Sequence, residues 1–587
     1  MKNILLPTSA AVLIATVAFA KDTENSNSAS PTAITPTNFP GVVVDIANHA
    51  GDPVNKAYNV VGELDLAADT SYILDRHLFV VDDGVLDIEE GAVIRSQPAT
   101  ATQAPGNIFV TKDGRIEAQG ALDNPIIFTT AMDVSGNRWN GTKAFLDATP
   151  HTSPLELSKG LWGALTVCGE APVNMGTVDT GTPGEGFMEG VPSDYTEMNV
   201  ANTASADSPS GSYDPRIVYG GHLPNDDSGF IEYVSIRYSG NVESSDNEVQ
   251  GLTLGGVGFG TKLEYIEIFG SEDDGIEVFG GTASIRNLVI VGQDDDGFDG
   301  DHGWIGYAQD VLVLNSFGSW NSDHAVELDG DDTGDYYPDG SKGDDDNVVP
   351  DGRPFANAHL ANFTCIGISV TDGTYPGGQD TAIRFRRGFG GSFKNSIIAE
   401  FQDSTVNNEG LEIDNTAGGI TNYQDSKTPS QGAHINFVTL AGYQTVQSGE
   451  RANRGELVVA GTTWWNVANN TTTGVAEDSH SSELAIMANS TDWSTGNVVV
   501  NPYFGKSYGG ALGDNGGVTL ADIRAGTFNP VPDPQATAAW GNTVSLGNTF
   551  FVERSYRGAF EPVANGTTLW TTGWTALNKA GIIVSSN

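Results

Sequence analysis

Three successive stretches of the chain repeat one arrangement of apolar and polar positions. Residues 263–281 read LEYIEIFGSEDDGIEVFGG, residues 285–303 read IRNLVIVGQDDDGFDGDHG, and residues 309–332 read QDVLVLNSFGSWNSDHAVELDGDD. Aligned on their apolar positions, Ile266, Leu288 and Val311 share a column at spacings of 22 and 23 residues, and Gly275 and Gly297 repeat the spacing of 22. Each unit reads as a short alternating strand, a turn rich in Gly and Asp, and a second short strand. Such a unit buries its apolar face only when a neighbour stacks on it. No 3.6-residue pattern lies between the strands, which excludes leucine-rich and βα repeats. The pattern predicts an all-β right-handed parallel β-helix, a solenoid of ~22 residues per coil.

The same signal extends in both directions. Short β-rich runs with Gly-containing turns fill 58–130, and GFIEYVSIRYSG places Tyr233 where LEYIEIFG places Tyr265. Later coils are expected in AHLANFTCIGISV, TAIRFRRGFGGSFKNSIIAEF, GLEIDN and HINFVTLAGY. Residues 1–20 read as a signal peptide, with Lys2 at the start and Ala18-Phe19-Ala20 as the cleavage site. The expected order is then a flexible leader over 21–40 and a β-helix over 41–445, with insertions near 133–158, 174–215 and 329–354. A C-terminal cap or small β domain over 446–587 is expected to shield the last coil from uncontrolled strand pairing. No later apolar run is long enough for a transmembrane segment.

Charge changes the picture. The chain has 75 acidic and 28 basic residues, a formal charge of −47, and cleavage after Ala20 removes one lysine to leave −48. That balance excludes nucleic acid and anionic lipid as partners and favours saline or divalent-rich surroundings. Stacked coils lie ~4.8 Å apart, so Asp273 is expected over Asp295, Asp274 over Asp296, and Glu277, Asp299 and Glu327 in an outward column. Two carboxylates at that distance repel by roughly 1 kcal/mol in water and more where solvent is excluded. A hard cation with flexible oxygen coordination, Ca²⁺, answers that repulsion; solvated turn residues are the plainer alternative. After the third unit, Asp329, Asp331, Thr333, Gly334 and Asp335 follow the start of an EF-hand-like loop, which then has Gly340 where the acidic twelfth ligand belongs. The candidate Ca²⁺ ligands are therefore Asp273, Asp274, Asp295, Asp296, Asp299, Asp329, Asp331 and Asp335.

The competing chemistry is acid–base hydrolysis by Asp295, Asp296, Asp299 and His302, with Asp323 and His324 one coil on. Arg384, Arg386 and Arg387 form a dense basic cluster that a lyase could use. The alternation IRFR instead puts Ile383 and Phe385 inward and Arg384 and Arg386 outward, among acids. The acidic turns recur with the coils, which suits a repeating wall better than a single active site, and the expectation is a protein without enzymatic activity.

The phrases DGVLDIEEGAVI, LWGALTVCGEAPVN, EVQGLTLGGVGFGTKLEYIEIFGSEDDGIEVFGGT, DDDGFDGDHGW, FRRGFGG and YRGAFEP together resemble a family of secreted bacterial parallel β-helix proteins, most of them uncharacterised. In its acidity and lack of a lipidation cysteine, the chain looks like the surface-layer and biofilm-matrix proteins of marine gammaproteobacteria. The resemblance implies an exported, calcium-dependent structural protein that self-assembles at the cell surface. Its partners would be further copies of itself and cell-surface glycan held through divalent cations. It carries no functional residues over. A carbohydrate-active β-helix enzyme, either polysaccharide lyase or glycoside hydrolase, and an adhesin are the alternatives. Cys168 and Cys365 lie 197 residues apart, several coils in a solenoid and far beyond the ~7 Å reach of a disulfide. Thiol titration of the unfolded, unreduced protein is expected to find both; finding neither would show a bridge and break the inferred coil order.

Overall fold

The computed structural model describes residues 31–44, 57–98, 105–133, 159–175, 182, 184–190, 215–244, 247–315, 322–330, 354–367, 381–387, 389–401, 410–413, 457–465, 467, 494–503, 528–563, 566–579 and 583–584. The expected signal peptide, the leader up to residue 30, most of the three insertions, and Asp331 and Asp335 lie outside the described residues.

The chain is a parallel β-helix. Among the described residues its coils pass through an eleven-stranded sheet and a seventeen-stranded sheet, and each strand of the regular coils pairs in parallel with the coil before and after. The register is the one the spacing predicts: Ile266 pairs with Leu288 and Leu288 with Val311, and the column runs back to Val234 and on to Phe363. Neighbouring columns such as Ile236, Ile268, Ile290, Val313 and Cys365 also point inward and are fully buried. The eleven-stranded sheet faces them with Leu252, Ile276, Phe298, Val326, Ile383 and Leu411. Parallel stacking leaves little room at the residue just before each of these strands, which is Gly251, Gly275, Gly297, Ala325, Ala382 or Gly410. A Cβ on Gly275 would lie 2.6 Å from the carbonyl oxygen of Gly297 and 2.3 Å from Ile290, which explains the repeated glycine.

One residue per coil bends the larger sheet. Strand Gly229–Ser239 spans both Arg115–Gln119 and Ile126–Thr130 of the preceding coil, and Tyr233 lies between the two pairings with φ at 51°. The equivalent residues Tyr265, Asn287, Asp310, Asn362 and Asn395 all have φ between 52° and 60°. Asn and Asp tolerate this left-handed conformation, whereas tyrosine costs about 1–2 kcal/mol there. Stacking offsets that cost: the rings of Tyr233 and Tyr265 lie 4.3 Å apart, and Trp574 meets both edge-on at 5.9 and 6.1 Å.

Trp574 belongs to a C-terminal strap that runs back along this corner. The side-chain amide of Asn395 donates to Val544 O at 2.7 Å and accepts from Val544 N at 2.8 Å, and Gln309 does the same with Val552 at 2.7 and 2.9 Å. Arg554 binds Asp310, Asn362 donates to Tyr556 O, and the backbone N–H groups of Ala576 and Leu577 donate to the buried carboxylate of Glu267. Beneath the strap lie Phe269, Val289, Val291, Leu312, Leu314 and Ile366 on the outside of the helix, forming a second apolar cluster with Phe560 and Leu577. The expected end of the coils at 445 needs correcting. Leu457–Ala460 and Thr463–Trp465 continue the seventeen-stranded sheet and Val498–Val499 pairs beyond them. The coil expected in HINFVTLAGY lies outside the described residues, and beyond 445 the sequence carries no period that marks these strands.

Cys168 and Cys365 are buried free thiols. Among the described residues no helix is long and apolar enough to cross a membrane. Because Trp574 is fully buried over the Tyr233–Tyr265 stack, Trp574→Ala is expected to cost about 3–5 kcal/mol, read as a lower urea midpoint; an unchanged midpoint would mean the strap contributes no stability.

Candidate metal centre

The outer face of the eleven-stranded sheet changes character along the helix. One outward column runs Asn59, Phe79, Phe109, Thr166, Thr253, Glu277, Asp299, Glu327, Arg384, Glu412. The expected stack of Glu277, Asp299 and Glu327 is therefore present on three successive coils, and acids also stack on the early coils of the other sheet, in the column Asp65, Asp87 and Glu117. On the eleven-stranded sheet the earlier coils fill the same position with amide, aromatic and hydroxyl side chains that the periodicity of the later acids could not reveal.

The turns leading into these strands add the other acids. Asp274 Oδ1 accepts from Asp296 N at 2.8 Å, and Asp296 Oδ1 accepts from His324 N at 2.6 Å, so Asp274, Asp296 and His324 climb the turn column in sequence. Beside them, Asp294 N donates to Asp273 O and Asp323 N donates to Asp295 O, which stacks Asp273, Asp295 and Asp323. Among the described residues ligand atoms lie within 4.8 Å of one another in five sets, one of them on the other sheet (Glu63, Asp65 and Asp87) and four here: Asp273, Asp274 and Asp295; Asp274, Glu277 and Asp299; Asp295, Asp296 and Asp323; and Asp296, His324 and Glu327. Five of the candidate Ca²⁺ ligands, Asp273, Asp274, Asp295, Asp296 and Asp299, thus share one patch.

The remaining candidates separate from it. Asp329 is already held by Arg386 Nε at 2.7 and 2.8 Å and by Arg387 Nη1 at 3.0 Å, so arginine answers its charge. His302 sits past the far end of strand Phe298–Asp301, three residues or ~10 Å along the chain from Asp299. There its Nδ1 lies 2.7 Å from the Tyr219 hydroxyl and its ring packs 5.0 Å from that of Phe279. The constellation of Asp295, Asp296, Asp299 and His302 is therefore not assembled, and the imidazole among the acids is His324. Glu189, which sequence reasoning missed, accepts a hydrogen bond from Gln250 and shares one with Glu277. It comes from inside an insertion, where no period marks it. Ile383 and Phe385 are buried and Arg384 and Arg386 face out, as the alternation requires. Arg384 binds Glu412 at 2.9 Å and Glu327 at 3.4 Å, closing the acidic patch with positive charge.

Burial and mutual repulsion hold protons on these acids. Burial, then Glu248, pushes Asp273 up to about 7; burial, then Asp296, Asp273 and Asp323, pushes Asp295 up to about 8. Burial also takes Glu189 to about 8, and burial with neighbouring carboxylates takes Asp274, Glu277, Asp299 and Glu327 well above the ordinary carboxylate range. His324 is the exception that proves the local balance. Burial disfavours its charge, yet Asp296 at 2.9 Å holds the ring protonated up to about 10, and Asp296 itself is lowered despite its burial. The patch can thus carry protons, or a cation in their place.

The sign of the pH dependence follows. Carboxylates whose folded pKa lies above the unfolded value bind more protons when folded, so their contribution is full below pH ~4 and is lost as pH rises through the folded values. With chelator present, the urea midpoint is expected to fall between pH 5 and pH 8.5, following the values of about 7 and 8 at Asp273, Asp295 and Glu189. A midpoint that rises over that interval would show the patch is not under electrostatic strain.

The family model described as a pectate-lyase like beta helix domain matches residues 58–146 and 195–496. Neither a curated protein nor a solved structure matches the chain. The matched residues include the coils that carry the acidic patch and the arginines that end it, and they make up more than half of the sequence. With the parallel coils and their register, this match establishes that the chain belongs to the pectate-lyase-like β-helix family.

Proposed function

We propose that this chain is an exported structural protein of the cell surface, a surface-layer or biofilm-matrix component, whose acidic sheet face binds Ca²⁺ and whose copies associate when it does. The observation that carries the reading is the set of Asp274, Glu277 and Asp299, with ligand oxygens within 4.8 Å of one another and Glu189 reaching over them. Two oxygens bound to one Ca²⁺ lie at most ~4.8 Å apart, and further ligands complete a coordination of 6–8. A charge of −47 keeps copies apart until cations screen or bridge them, which makes association depend on the ion. Cell-surface glycan carrying carboxylates would be held the same way.

The convergence of acids and arginines on one face favours a second reading, a polysaccharide-active enzyme, since this fold serves enzymes and non-enzymes alike. Its chemistry is less well supported. Arg386 pairs with both Glu327 and Asp329 and is pushed further up from an already high value, so it does not accept a proton, and His302 is engaged with Tyr219 away from the acids.

Adding Ca²⁺ to chelator-treated protein is expected to raise Tm, by about 2.7 kcal/mol in stability at 100 times Kd. Light scattering should show large assemblies that chelator disperses, and Asp299→Asn should need about tenfold more Ca²⁺ for both effects, since it removes one charged ligand. Monomers with an unshifted Tm at millimolar Ca²⁺ would sink this reading. Release of oligosaccharide from a uronate polymer, lost in Asp295→Asn, would establish the enzyme instead.

A further inference from the structure

Next to the all-oxygen sets lies one of different chemistry. His324 is 1% exposed, Asp296 3% and Glu327 7%, and one ring nitrogen of His324 lies within 4.8 Å of a carboxylate oxygen from each of the other two. The ring has Nδ1 at 2.9 Å from Asp296 Oδ1, while Nε2 is buried with no hydrogen-bond partner. A buried polar atom left unpaired costs about 1–3 kcal/mol.

We propose that Asp296, His324 and Glu327 form a second metal site, at the edge of the Ca²⁺ face and drawing Asp296 from it, that takes a borderline divalent cation of the zinc kind. An imidazole with two carboxylates suits Zn²⁺, whereas Ca²⁺ takes oxygen ligands alone. Donors 2.0–2.1 Å from a tetrahedral ion lie ~3.3 Å apart, so movements of about an ångström within the observed set close the site. A ligated neutral ring places one nitrogen on the ion and leaves the other as an N–H for a carboxylate, so neither stays unpaired. Arg386, 3.0 Å from both oxygens of Glu327, fixes that carboxylate from behind in the way outer partners orient metal ligands. The strand places Glu327 three residues after His324, and the coil below supplies Asp296, so the three ligands are set by the same register that stacks the acids.

The test uses the full chain, stripped with chelator and dialysed against Zn²⁺ in the presence of a ~1,000-fold excess of Ca²⁺ chosen to saturate oxygen-only sites. One Zn²⁺ per chain should remain. His324→Gln should lose it, with affinity reduced about 100-fold or more, while keeping the Ca²⁺-dependent rise in Tm. Zn²⁺ displaced by Ca²⁺, or bound equally by His324→Gln, would overturn the proposal and leave a buried ion pair. Should the variant not fold, Co²⁺ bound to the unaltered chain decides the matter. Intense visible bands of a tetrahedral site with imidazole ligation support it, and their absence at one equivalent overturns it. Zn²⁺ retained with no Ca²⁺ response, or the reverse, separates this site from the reading of the acidic face.

Discussion

Stacking of coils in register, one strand spacing apart, is the constraint on which this molecule rests. Each coil is too thin to bury its own apolar side chains, so each position acquires as neighbours the same position one coil up and one coil down. Where that position is Ile or Val, repetition builds the core. Where it is a residue that accepts a left-handed backbone, repetition builds a corner, from Tyr233 to Asn395. Where it is a carboxylate, repetition builds repulsion that something else must relieve. His324 relieves it in the turn column and Arg384 in the strand column, while Asp274, Glu277 and Asp299, further down those columns, are pushed toward their protonated, uncharged form.

That constraint also explains which features could be read from sequence. Parallel stacking converts a spacing of 22 residues directly into contact, so the pairing of Ile266 with Leu288 and the column of Glu277, Asp299 and Glu327 were legible before any coordinates. Features that depend on insertions were not. Glu189 lies in a stretch whose length follows no period, and the strands after residue 456 lie where the sequence carries no period that marks them. The corner left a signal that went unused: at one place in each unit stand Tyr233, Tyr265, Asn287, Asp310, Asn362 and Asn395, and four of the six are Asn or Asp, the residue types that enter the left-handed region most readily. The separation of His302 from the acids was hidden for a simpler reason. Closeness in sequence along a strand means distance in space, and only the stacked direction brings side chains together.

The outward column of the eleven-stranded sheet shows that net charge is a poor guide to local chemistry. Its early members include Phe79 and Phe109, stacked at 4.8 Å with the guanidinium of Arg216 above Phe79 at 4.1 Å. Its middle members are acids, and Arg384 follows them. The two rings are buried beneath Arg216 and a cluster that includes Met175, Met188 and Tyr219, so the aromatic part of the column is core and the charged part alone forms the acidic patch and its arginine boundary.

The strap gives the molecule a property that its coils lack. A stack of repeats interacts only between neighbours, so it can fray from either end, one layer at a time. Residues 544–577 touch the coils that contain Asn395, Asn362, Asp310 and Glu267 in turn, fastening together layers that are not all neighbours of one another. Opening any one of those layers then strains a peptide segment anchored on the others, and the solenoid behaves as a splinted rod that resists peeling. Since the splint follows in sequence the coils it fastens, those coils acquire this rigidity only after residues 544–577 have been made and have come back to meet them.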